Sequence, residues 1–268
     1  MLLVNFLLCG LRVLGTSIPL CGLLPLALAA TETNSQTSVF KYEEPKSLTA
    51  TIYSPDRKTV LFRFSRHLTR SGTKLEAVRE YSYPEGKLAA RERVAYEGDD
   101  LRLCELEELQ TGGFGRATIK PDPDVPKKLR LYFEYSKDST SQANPSRSSE
   151  SLQKNILNND MVGPFLASNW DALMKGQVVK CRFIVIPRTE TVGFRFVKES
   201  ESQWQGKSIV TLKMEPTSPV IRALVTPLHF KIEKEGAHRV LEYSGRTTPK
   251  IKSGGKWSDL DAVTVFDW

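Results

Sequence analysis

The chain has 268 residues, of which 40% are hydrophobic, 26% charged and 9% aromatic, a globular composition that excludes collagen, a coiled coil, wholesale disorder and a polytopic helical membrane protein. The formal net charge is +7, and four Cys with three His are too few for a disulfide scaffold or a histidine-built metal centre.

The first segment reads as an export signal. Arg12 is the one charged residue in the first thirty, an uncharged run follows it, and the run ends on Ala27-Leu28-Ala29. Cleavage after Ala29 takes 29 of the 268 residues and leaves 239, with Arg12 the only charge removed. Pro19, Pro25, Gly15 and Gly22 disfavour the alternative of a retained membrane helix. The predicted organisation is a signal peptide over 1–29, a polar linker over 30–37 and a single β-rich domain over 38–268. A cleaved protein of this kind goes to a periplasm or to the outside. There Cys104 and Cys181 admit one intramolecular disulfide, whose long loop would contribute ~4 kcal/mol in the chain-entropy model. The alternative is two separate buried thiols.

From Ser38 onward the period is two. Leu61 to Ser65 alternates, Leu129, Leu131, Phe133 and Tyr135 share a face, and so do Val179, Cys181, Phe183 and Val185, with Val192, Phe194 and Phe196 after them. Turn residues fall between these runs at Pro84-Glu85-Gly86, Gly98-Asp99-Asp100, Gly112-Gly113, Pro121-Asp122-Pro123, Glu235-Gly236 and Ser253-Gly254-Gly255. The stretch 137–151 is rich in Ser, Thr and Asn, lacks a large apolar side chain and reads as a low-complexity loop. One helix is predicted over about 164–175, from Pro164 near its start to Gly176 past its end, with Phe165, Leu166, Trp170, Leu173 and Met174 at helical spacing. The expected fold is mainly β: a large antiparallel barrel, open or half-closed, with this helix packed on it.

No nucleophile elbow, zinc-binding helix, phosphate loop or C-x-x-C motif occurs, and no cofactor or metal is expected. His67, His229 and His238 are far apart. The acidic pairs Asp99-Asp100, Glu107-Glu108 and Asp259 with Asp261 are the residues a secreted hydrolase with carboxylate chemistry would have to use. The alternating aromatic positions favour a binding or structural protein instead. Trp170, Phe183, Phe194 and Phe196 are the candidates to line a site for an apolar or amphiphilic envelope molecule such as a lipid. The positive charge lies after residue 140, where Arg239, Arg246, Lys250 and Lys252 are the candidates to meet an anionic headgroup. Nucleic acid is not an expected partner, since the aromatics alternate into strands rather than interleave with the basic residues.

Two resemblances rest on particular residues. The ending Leu260, Ala262, Phe266 and Trp268 resembles the last strand of bacterial outer-membrane barrels, and implies a membrane-embedded barrel as an alternative. The order of a signal, strands with Tyr96-Glu97-Gly98, a helix with Asn169-Trp170-Asp171-Ala172-Leu173 and a closing Leu241-Glu242-Tyr243-Ser244-Gly245-Arg246 resembles uncharacterised bacterial exported proteins. Their half-barrel layout is similar to that of periplasmic lipoprotein carriers. That likeness implies a fold and transfers no ligand residue.

Overall fold

A computed structural model describes residues 46–268. The segments read as signal peptide (1–29) and linker (30–37), with the first residues of the β-rich domain, lie outside the described residues. Fifteen strands form one sheet: β1 (Ser47–Tyr53), β2 (Val60–Ser71), β3 (Lys74–Ser82), β4 (Leu88–Glu97), β5 (Asp100–Glu108), β6 (Gly113–Pro121), β7 (Leu129–Ser136), β8 (Ser146–Ser151), β9 (Ile156–Leu157), β10 (Val179–Val185), β11 (Glu190–Trp204), β12 (Lys207–Pro216), β13 (Leu228–Glu233), β14 (Val240–Ser253) and β15 (Lys256–Asp267). The sheet order runs from β8 down to β1, then from β15 down to β9. Two antiparallel meanders, the second extended at its end by the short β9 parallel to β10, are thus joined where β1 pairs with β15, Thr49 opposite Asp267 and Tyr53 opposite Val263.

Local chemistry explains the meanders. Alternate side chains are buried along β4 and β6, as the period of two requires. The tight turns Gln205-Gly206 and Gly254-Gly255 have positive φ at both residues, the geometry whose twist matches that of flanking antiparallel strands.

The expected loop over 137–151 is only partly irregular. Its last six residues form β8, whose side chains are almost all exposed, because backbone pairing with β7 needs no apolar side chain on an edge. The sheet's two ends meet here without strand pairing. The Ser148 hydroxyl donates to the Thr189 carbonyl, and the Thr191 amide donates to Glu150 Oε1 at 3.1 Å. Ile186 lies over Gly115, where an added Cβ would stand 2.4 Å from Ile186 Cγ2 and 2.8 Å from Tyr135 Cδ2. Gly115→Val is therefore expected to lower stability by about 1–3 kcal/mol through overpacking, read as a shifted denaturation midpoint at unchanged slope. An unchanged midpoint would show that this seam opens without cost.

The interior is occupied by the segment between β9 and β10. The single helix expected over 164–175 is two short ones, α1 (Val162–Ser168) and α2 (Trp170–Met174), preceded by a 3-10 turn at Asn159–Met161. Asn169 makes the break: its backbone leaves helical geometry, and its side-chain amide donates to the Phe165 carbonyl at 2.8 Å, capping α1. Phe165, Leu166, Trp170 and Leu173 are buried in one apolar cluster with residues of both meanders, from Leu75 and Phe133 to Phe196 and Ile232. A second cluster gathers Ile52, Phe62, Phe64, Ala90, Leu260 and Ala262.

The outer face is built for water. Arg91 stands between Glu80 at 2.9 Å and Glu107 at 3.2 Å, directly across neighbouring strands, and Arg93 stands between Glu76 and Glu105. Leu260 and Ala262, which resemble a lipid-facing pattern in the sequence, point into the second core cluster, and Phe266 packs edge-on against Phe64 at 6.0 Å. A lipid-facing strand would instead turn these residues outward and carry almost no charge there.

Candidate functional site

The sheet interior carries a row of charge that its apolar neighbours would not suggest. On β2 the inward positions are Phe62, Phe64, Arg66 and Leu68; on β3 they are Leu75, Ala77, Arg79 and Tyr81; on β4, Ala90, Glu92, Val94 and Tyr96. Register places Arg66 opposite Arg79 and Arg79 opposite Glu92. Two like charges side by side in a core need anions on both flanks. The segment leading into α1 supplies one: Arg66 Nε donates to Asp160 Oδ1 at 2.6 Å, and the Tyr96 hydroxyl to Asp160 Oδ2 at 2.9 Å. Glu92 supplies the other, 3.3 Å from Arg79 Nε. It also accepts hydrogen bonds from Asn159 Nδ2 at 2.8 Å and Thr248 Oγ1 at 2.5 Å. Asn158 secures the same turn, accepting from the backbone amides of Asp160 and Met161 and donating to Cys104 Sγ at 3.3 Å.

A second polar contact lies beside the first. After a register shift between Arg246 and Lys250, β14 turns across the first meander. Gln110 donates to the Lys250 carbonyl at 2.9 Å and accepts from its amide at 2.7 Å, as a neighbouring strand would. Glu108, almost fully buried, accepts from the Tyr135 hydroxyl at 2.6 Å and pairs with Lys250 Nζ at 3.0 Å. Both contacts tie the interior segment and the β14–β15 hairpin to the first meander. Neither presents a free nucleophile or a proton donor to solvent.

Burial pushes the Tyr81 hydroxyl up to about 12, and it likewise raises those of Tyr96, Tyr135 and Tyr243, burial again being the first cause. A phenol raised above its unfolded value binds its proton more tightly when folded, so this contribution is complete below about pH 10 and is lost as pH rises through the folded values. Stability is expected to fall steadily above about pH 10, with guanidinium titrations at a series of pH values as the check. A flat profile there would contradict buried phenols.

The residues singled out from the sequence are dispersed. Phe196 has no exposure and lies between Phe165 at 5.9 Å and Phe230 at 5.8 Å. Trp170 stacks on His238 at 4.0 Å between centroids, while Phe183 and Phe194 meet edge-on at 6.2 Å and are half-buried. Of the basic candidates, Arg246 is held by Asp259 at 2.5 Å and Asp261 at 2.8 Å, and Lys250 by Glu108. Arg239 lies over the Trp268 ring and Lys252 over that of Trp257. Asp99 and Asp100 sit in the β4–β5 turn, at the opposite end of the sheet from Asp259, and Glu107 is on the outer face, while Glu108 and Asp259 are brought to the same place, around Lys250 and Tyr135. His67 meets Ser47 and His229 meets Glu199. Among the described residues no group of three His, Cys, Asp or Glu is placed to hold a metal ion.

The bridge between Cys104 and Cys181 is not formed; both are free and buried, and burial raises each thiol to about 12. Each packs as a small hydrophobe, Cys104 against Asn158 and Cys181 across from Phe194. Both are expected to resist alkylation at mild pH in the folded protein and to react fully in denaturant, as mass spectrometry would count. Rapid labelling of either thiol in the native protein would refute this.

No family model matches the chain, and no curated protein matches it. Among solved structures the chain is similar to a β-barrel-like protein of a domain of unknown function, DUF1849, from Brucella abortus, at 8% identity and a TM-score of 0.37, covering 82% of this chain and 95% of that one.

Proposed function

We propose that the protein is an exported envelope protein that binds an amphiphilic molecule at the surface of its barrel. The observation that carries this reading is the filled interior: Leu166, Leu173 and Phe196 have no exposure, so the protein's own helical segment occupies the space a lumenal ligand would need. What remains for a ligand is the outside, where the sides of the first meander are laced with ion pairs and the ends carry apolar and basic side chains. Export rests on the reading of residues 1–29. Intact mass of protein recovered from the periplasmic fraction of a Gram-negative host, followed by native mass spectrometry of the same material, tests both parts. Expected are a chain beginning at Ala30 and a lipid that detergent washing removes without unfolding. A full-length chain in the cytosol would overturn export, and failure to take up any lipid or detergent monomer would overturn amphiphile binding.

A further inference from the structure

The two ends of the sheet differ. Register places the connections 54–59, 83–87, 109–112, 137–145, 186–189 and 217–227, with the tip of the β14–β15 hairpin, at one end. At this end the apolar side chains most open to water are Val220, 71% exposed, on the short helix α3 (Pro219–Leu224), then Leu109, Val225 and Ile251. The Gln110 side chain, bonded to the Lys250 backbone, ties the loop that carries Leu109 to the hairpin strand that carries Ile251. Leu228, which follows the α3 loop, packs on Gly245 just before the hairpin leaves its strand partner. From Thr247 to Ser258 the hairpin has three lysines and no acid. Lys250 is spent on Glu108, but Lys252 and Lys256 have no carboxylate within 4 Å among the described residues. The other connections at both ends are mixed in charge, as in 54–59 with Asp56, Arg57 and Lys58 and in 122–128 with two Asp and two Lys. The other end has its own exposed apolar side chains in Val125, Val178 and Trp268, so the lysine-rich hairpin tip is what sets this end apart.

We propose that this rim seats on an anionic lipid surface, with Val220, Val225, Leu109 and Ile251 entering the headgroup layer and Lys252 and Lys256 meeting its phosphates. Charge complementarity selects the occupant. Lysines beside exposed apolar side chains, on a short helix and a hairpin tip, gain both from the negative potential of the bilayer and from burying apolar area in it. A protein partner of ordinary composition offers no such uniform negative charge. This inference rests on the proposed amphiphile binding and makes the amphiphile's own bilayer the partner.

Flotation of the full mature chain with vesicles of phosphatidylglycerol and phosphatidylcholine, against phosphatidylcholine alone, is the test. The protein is expected to float with the anionic vesicles only, and to be released by salt. Lys252→Glu with Lys256→Glu, and separately Val220→Asp with Val225→Asp, are each expected to weaken binding at least about tenfold. Circular dichroism melts confirm that these exposed substitutions leave the fold intact, and Lys154→Glu with Lys175→Glu at the opposite end is the control and should bind as before. Binding that survives both rim variants, or that the opposite-end variant abolishes, overturns the inference. Uptake of lipid monomers without vesicle binding would also overturn it while leaving amphiphile binding standing, whereas failure of both would remove the two together.

Discussion

Asp160→Ala is expected to cost about 3–5 kcal/mol, enough to consume much of the ~5–15 kcal/mol that keeps a domain folded. The Asp160 carboxylate has no exposed surface and the Arg66 side chain has 3%. Removing the acid leaves a guanidinium in a low-dielectric interior, with a second one, Arg79, directly across from it. Tyr96 loses its hydrogen bond to Asp160 at the same time. The double substitution Arg66→Met with Asp160→Leu is expected to recover most of the loss, because an apolar pair of similar volume carries no desolvation penalty. Guanidinium unfolding of the wild type, the single and the double variant reads the comparison. An Asp160→Ala protein within about 1 kcal/mol of wild type would mean that the charged row does not hold the interior segment in place.

Phe196→Ala is expected to destabilise by about 3–5 kcal/mol, the range for truncating a fully buried aromatic. The ring connects α1, through Phe165, to β13, through Phe230, and the chain of rings continues to Tyr243 at 5.0 Å. Its loss opens an apolar hole that stays dry and accepts a small aromatic guest. The variant should therefore gain binding of a benzene-sized ligand that the wild type lacks, measured as a ligand-dependent rise in melting temperature. A wild-type protein stabilised to the same degree by that ligand would show that the interior already holds a usable cavity, and amphiphile binding would then move inside the barrel.

The polar row illustrates what sequence patterning makes legible. Arg66, Arg79 and Glu92 each stand on the apolar phase of an otherwise regular alternation, after Phe62 and Phe64, after Leu75 and Ala77, and between Ala90 and Val94. A charge on that phase marks a buried, partnered group, so the three positions were findable. Their partner was not. Asp160 lies 94 residues from Arg66 on an irregular turn, and only the curling of the sheet over the interior segment brings it there. The aromatic candidates were legible as inward-facing residues, yet nothing in their spacing separates a cavity wall from a filled core. Lys250 reads as a free charge because Glu108, 142 residues before it, meets it only through the fold, whereas the partners of Arg246, Asp259 and Asp261, lie across its own hairpin. The free state of Cys104 and Cys181 is a matter of geometry in the same way.

Period-two alternation and turn chemistry determined by themselves that this chain is a large antiparallel β protein with a helical insertion before β10, since both are local properties of the backbone. Which apolar face was filled and which buried charges were neutralised were decided by tertiary structure, because the partners lie far apart in the chain, as Arg66 and Asp160 do. The break at Asn169 and the edge strand 146–151 rest on nearer contacts, with Phe165 and with β7.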